Sequence, residues 1–129
     1  MSPLLKIKLP LFFCLCLLAC QKDTGPIIYN RTCVTTQHHE KIIGNIDVYV
    51  KYDADDFNFP GWVDLAEYDT VFTTDAVGKG CIDNLPIGKH WVVGLGEDES
   101  IGQRVKGRIF ANISFERPEI DTILYVGEE

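Results

Sequence analysis

The sequence is short of positive charge: Lys and Arg number 12 against 19 Asp and Glu, a formal net charge of −7. No basic patch offsets the deficit, which disfavours nucleic acid phosphates and anionic lipid surfaces as electrostatic partners. Long apolar runs are equally scarce. The run from Leu9 to Ala19 falls short of the roughly 20 residues that a membrane-spanning helix requires. Internal repeats and low-complexity linkers are missing. Metalloenzyme spacings are missing too, and no nucleophile, base and orienting group can be set side by side. The expectation is therefore a protein that is not an enzyme. A small metal-dependent hydrolase built on His38, His39 or His90 with nearby carboxylates is the alternative that these absences disfavour.

What is present begins with a leader. Lys6 and Lys8 precede the apolar run and the small Ala19 precedes Cys20, the marks of a secretory signal. Leu17-Leu18-Ala19-Cys20 resembles a lipobox, where a bacterial lipoprotein is cut before a cysteine that receives acyl chains such as palmitate. The division expected is a signal peptide over 1–19, a lipidated tether over 20–28 and a folded domain over 29–129. Each buried CH₂ contributes about 0.8 kcal/mol, so a multiply acylated Cys20 anchors the chain without spanning the membrane. Gln21-Lys22-Asp23 reads either as a short export tag like those of lipoproteins displayed on the outer face of the outer membrane or as a solvated tether with no address. With Cys14 and Cys16 in the leader and Cys20 acylated, Cys33 and Cys81 remain. They either pair, as an oxidising envelope permits, or stay apart as a packed residue and a free thiol. Sequence leaves both open, because bridging depends on a Cα separation it does not contain.

The folded part reads as strands. Ile46, Val48, Val50 and Tyr52 alternate with Asp47, Tyr49 and Lys51, the pattern of a half-buried strand. From Thr70 to Gly96, three strand-like runs are separated by turns at Asp75 to Gly80 and Leu85 to Gly88. Around His90 both faces are apolar, as in an interior strand covered on each side, and the histidine reads as a satisfied core residue. The longest alternation runs from Val105 to Glu116, and Asp121 to Val126 closes the domain.

Two stretches carry candidate chemistry. The loop from Asp53 to Trp62 gathers Asp53, Asp55 and Asp56, which can serve Ca²⁺, and Phe57, Phe59 and Trp62, which can stack on a sugar or fill a partner's pocket. It lacks the glycine and distal glutamate of an EF-hand, so no cofactor beyond that calcium candidate is assigned. The aromatics read either as a ligand face or as a lid folded back on the core. In His38-His39-Glu40, neighbours on a strand point to opposite faces and cannot chelate one ion together, so the expectation is a solvated loop without a metal.

Thr74, Asp75, Gly78, Ile82, Leu85, Pro86, Gly88 and Val92 together resemble the carboxypeptidase regulatory-like and transthyretin-like (prealbumin-like) β-modules. The resemblance implies an all-β, single antiparallel Ig-like sandwich of about seven strands. It also implies an accessory or binding role without activity of its own. The function expected is an outer-membrane lipoprotein module that binds a protein or glycan, with an inhibitor or immunity protein as the alternative.

Overall fold

The computed structural model describes residues 29–129. The leader, Cys20 and the tether lie outside the described residues. Alternating runs rich in small β-branched side chains form the strands. These are β1 (Arg31–His38), β2 (Lys41–Ile42), β3 (Asp47–Lys51), β4 (Thr70–Thr73), β5 (Lys79–Asp83), β6 (Gly88–Asp98), β7 (Gln103–Ile113), β8 (Glu119–Tyr125) and β9 (Gly127–Glu128). One 3-10 turn, Leu65–Glu67, is the helical element among the described residues. The all-β sandwich implied by the resemblance is what forms.

A larger sheet takes the order β4-β3-β6-β7-β9, and a smaller one centres on β1, which pairs with β2, β5 and β8. Every pairing is antiparallel except β1 with β8, which run parallel over Arg31–Gln37 and Glu119–Tyr125. Neither turn in the Thr70–Gly96 stretch closes a hairpin, because β4 and β6 belong to the larger sheet and β5 to the smaller. The turn residues act as the sequence implies, but they carry the chain across the core. Asp75 folds its carboxylate inward to accept the Val77 and Lys79 amides at 3.0 Å each, and Gly78 takes φ 81°. That left-handed conformation is one that glycine adopts without strain.

Cys33 and Cys81 face each other across β1 and β5 and are joined by a disulfide that closes 48 residues of chain. By loop-closure entropy, a ring of that size is worth about 4 kcal/mol to the folded state. The bond ties the central strand of the smaller sheet to the strand reached by the first crossing.

Val34, Ile46, Val48, Val92, Val105, Ala111, Leu124 and Val126 fill the space between the sheets. Two glycines set how closely the sheets meet. Gly94 and Gly107 lie opposite one another in the β6–β7 register, and the chain running from β8 into β9 crosses directly over them. A Cβ on Gly107 would strike the Tyr125 carbonyl oxygen, and one on Gly94 would come within 2.8 Å of Leu124 Cδ2. Gly107→Ala should therefore cost about 1–3 kcal/mol in urea unfolding, the range for overpacking. Gly127→Ala meets nothing within 4 Å and should stay within about 0.5 kcal/mol of wild type. Equal stability of the two variants would show that the crossing is not tight.

Candidate functional site

The segment between β3 and β4 does not project into solvent; it folds across the outer face of the larger sheet. Its neck is drawn together by Asp69, whose carboxylate accepts the Tyr52 amide at 2.7 Å and whose own amide donates to Val50 O at 2.9 Å. Its tip is organised by Asn58. The Asn58 Oδ1 accepts the Asp55 amide at 2.8 Å and the Trp91 indole N–H at 3.1 Å, while its Nδ2 donates to Asp53 O at 2.7 Å. Asn58 thus latches the loop to the sheet at Trp91, and the Ala54 amide adds a bond to Lys89 O at 2.7 Å.

Underneath lies a second apolar cluster, made by Tyr68, Trp91 and Val93 with Tyr49, Ala54, Phe59, Trp62 and Leu95 around them. Phe59 meets Trp62 and Trp91 edge-on at 5.0 and 5.2 Å. The Arg108 guanidinium sits 4.2 Å above Phe59 and 4.8 Å from Trp91, and Lys106 lies 4.9 Å over Trp62. Cation–π contacts of this kind contribute about 0.5–1 kcal/mol each where solvent reaches them.

Of the expected aromatic ligand face, then, Phe59 and Trp62 are half-buried against the sheet and Phe57 stands alone, 96% exposed. The three do not form one surface. The calcium candidates are not gathered either. Asp53, Asp55 and Asp56 are not brought together as a ligand set; the one group of three or more with such geometry among the described residues is elsewhere. Asp55 instead organises the loop, its Oδ1 accepting the Phe57 and Asn58 amides at 2.7 and 2.8 Å.

The loop covers only part of the outer face. Beside it a groove of about 740 Å³ remains open, walled by Tyr49, Trp62 and Leu95 and edged by Asp47, Glu97, Arg104, Lys106 and Glu129. Apolar walls and charges of both signs therefore share one concave surface. Arg104 Nε lies 3.4 Å from Glu129 Oε2 across an exposed edge of it.

The histidines fall at opposite ends of the sandwich. His90 is fully buried and fully satisfied: its Nδ1 accepts the Asp53 amide at 3.2 Å and its Nε2 faces Pro86 O at 2.6 Å. An acceptor at one nitrogen and a donor at the other define the neutral ring with its proton on Nε2. It holds two loops together and has no free nitrogen for chemistry.

At the other end, His38 is the last inward-facing residue of β1, 2% exposed, with Nδ1 2.8 Å from Asp98 Oδ2. His39 and Glu40 take φ 51° and 64°. The opposite-faces argument fails there, because the strand ends at His38 and the reversal swings the next ring back. The two rings lie 4.0 Å apart, and His39 Nε2 is 2.8 Å from Glu128 Oε1. Sequence reading missed Glu128 and Asp98 as partners of this pair. Only β9, whose two residues add to β7, delivers Glu128, and so short an element leaves no periodic signal. Asp98 is held below the usual carboxylate range, first by the Ser100 hydroxyl and then by His38. The His39 ring does the same for Glu128.

Ser100 Oγ donates to Asp98 Oδ1 at 2.6 Å, on the far side of that carboxylate from the imidazole. A hydrolytic relay needs the imidazole between hydroxyl and carboxylate, so these three groups are in the wrong order for one.

Tyr68 gives the outer cluster a measurable pH dependence. Its hydroxyl donates to Gly61 O at 2.6 Å, and burial raises its pKa from 10.0 to about 12, with Arg108 opposing. The fold favours the neutral phenol, so this stabilisation is complete below pH 10 and is lost as pH climbs from 10 towards about 12. Urea unfolding at stepped alkaline pH should show wild type weakening across that window and Tyr68→Phe weakening less. Parallel curves for the two proteins would refute the assignment.

No protein-family model matches the chain, and no curated protein does. BcpA, the major pilin subunit of Bacillus cereus, has a TM-score of 0.52 at 13% identity, over 78% of this chain and 30% of the pilin. A single-residue variant of that pilin has a TM-score of 0.51 at 14% identity with the same coverage. A protein of Pseudomonas aeruginosa described as a "putative carbohydrate binding protein" has a TM-score of 0.49 at 14% identity, over 81% of this chain and 93% of that one. The chain thus spans under a third of the pilin subunit it resembles. At these identities the likeness to the pilin establishes the β-sandwich fold and nothing finer, and no comparison assigns the chain to the carboxypeptidase regulatory-like or transthyretin-like modules.

Proposed function

We propose that the chain is a non-enzymatic binding module, tethered to the outer membrane through acylated Cys20, that takes a glycan in the groove beside the outer loop. The observation that carries this reading is the lining of that groove. Tyr49 and Trp62 offer flat apolar surface on which the C–H face of a sugar ring can lie, and Asp47, Glu97, Arg104 and Glu129 surround it with donors and acceptors for hydroxyl groups. Sites of this type combine apolar walls with a few placed polar groups. The latch at Asn58 supports the same reading, since a face built on strands and pinned in place loses little entropy on binding. A protein partner, including a secreted enzyme that the module would inhibit, would use the same walls, and the binding assay separates the two.

Against a panel of immobilised oligosaccharides, the full chain should retain a subset. Arg104→Ala, which changes an exposed side chain, should weaken that binding about 10-fold, and Trp62→Ala should weaken it at least as much, in the range of interface anchor residues. Unchanged retention by both variants would remove the groove from the account, and retention of no saccharide would remove the glycan.

The anchor has its own test. Cys20→Ala should move the protein from the membrane fraction to the soluble fraction of the envelope, and a variant that stays with the membrane would show that acylation is not what holds it.

A further inference from the structure

The fold treats its two buried histidines differently. His90 has a partner for each ring nitrogen. His38 has one only. Its Nδ1 is engaged by Asp98, while its Nε2, buried beyond solvent reach, makes no hydrogen bond among the described residues. A buried polar atom left without a partner costs about 1–3 kcal/mol, and such atoms call for a specific explanation.

The surroundings of that nitrogen supply one. Glu128 Oε1 lies 3.5 Å from it, within ion-pair distance yet without hydrogen-bond geometry, and the same oxygen lies 2.8 Å from His39 Nε2. One ligand atom from each of His38, His39 and Glu128 lies within 4.8 Å of the other two. Two imidazole nitrogens and a carboxylate oxygen are a donor set for a tetrahedral divalent ion, with metal–ligand distances of about 2.0–2.1 Å. Ligands on such an ion sit about 3.3 Å apart by tetrahedral geometry, and the two separations from Glu128 bracket that value.

The arrangement behind the donors agrees. A metal-binding histidine commonly gives its other N–H to a carboxylate, which fixes the ring and leaves the free lone pair facing the ion. Asp98 stands in that relation to His38, and the Ser100 hydroxyl at 2.6 Å and amide at 3.1 Å hold Asp98 in turn. His39 and Glu128 are 64% and 46% exposed, so an ion can enter from solvent and keep a fourth position open to water.

We infer that His38 Nε2, His39 Nε2 and Glu128 Oε1 form a site for a divalent transition metal of the zinc class, with Asp98 as the positioning residue behind His38. The site clips the carboxy-terminal β9 to the turn that follows β1. Imidazole-rich sites prefer zinc, copper and nickel over magnesium and calcium, so zinc is set against calcium and magnesium in the test. The inference is independent of the glycan reading, because none of its three ligands lines the groove.

The test is calorimetric titration of the full chain, solubilised in detergent and stripped with chelator, with zinc, and separately with calcium and magnesium. One equivalent of zinc should bind, with no heat from the other two. His39→Ala and Glu128→Gln change exposed residues and leave the core intact; each should weaken zinc binding by at least about 10-fold. Asp98→Asn should weaken it about 10- to 100-fold, as loss of a carboxylate behind a ligating histidine does. It should also shift the visible absorption of the cobalt-substituted protein, a signature that a purely structural role would not move. Zinc binding that survives both His39→Ala and Glu128→Gln, binding at less than one equivalent, or equal binding of calcium would each overturn the assignment.

Discussion

The structure depends on β6 being covered twice. On one side Val92 and Gly94 meet the smaller sheet, and on the other Trp91 and Val93 meet the loop between β3 and β4. A strand apolar on both faces needs apolar material on both, and a two-layer sandwich supplies only one such layer. The loop is the third layer. Asn58 and Asp69 hold it there by accepting the Asp55 and Tyr52 amides and the part-buried Trp91 indole N–H. Hydrophobic demand from the strand and polar satisfaction within the loop therefore select the same conformation.

The open groove is a consequence of that incomplete third layer. The loop covers β6 fully at Trp91 but leaves Leu95 and the β7 residues Arg104 and Lys106 at the edge of a concavity. Cations on β7 do two jobs according to where the loop reaches. Arg108 is drawn over Phe59 and Trp91, whereas Arg104, nearer the start of the strand, pairs with Glu129 at the rim. One alternating strand thus supplies both a cluster held by cation–π contacts and a charged rim to the groove.

The parts of this fold that were legible in the sequence are those with a period. Ile46, Val48 and Val50 announce β3, and Val105 to Ile113 announce β7, because side chains alternate faces whatever the tertiary partner. The apolar pair of faces around His90 likewise signals a strand covered on both sides, and Pro86 marks the loop end that the ring nitrogen bonds. What escaped had no period to show. Asp75 and Gly78 specify a tight reversal but not whether the chain returns to the same sheet or crosses to the other, since local dihedrals are blind to that choice. Placing His39 on the opposite face from His38 assumes extended backbone, and two consecutive residues with positive φ break that assumption. Asp55 was a candidate ligand whose carboxylate proved to be committed to nearby amides, a competition that composition cannot reveal.

The last residues of the chain show how much depends on a short element. Val126 is buried in the main core and its amide donates to Gln37 O at 2.9 Å, so the chain is fixed where β8 leaves β1. Gly107 then lets it pass over β7 without a clash, and β9 pairs with Val105 and Lys106 on the far side. From that position successive side chains point opposite ways, as strand geometry requires. Glu128 turns to the histidines at the end of β1, and Glu129 turns to Arg104 at the rim of the groove. The buried histidine end and the open outer face are thus joined by neighbouring residues at one short strand. A shift of β9 by one residue would exchange the two carboxylates' destinations and disrupt both sites at once, which makes the tight crossing over Gly107 the constraint that keeps them in register.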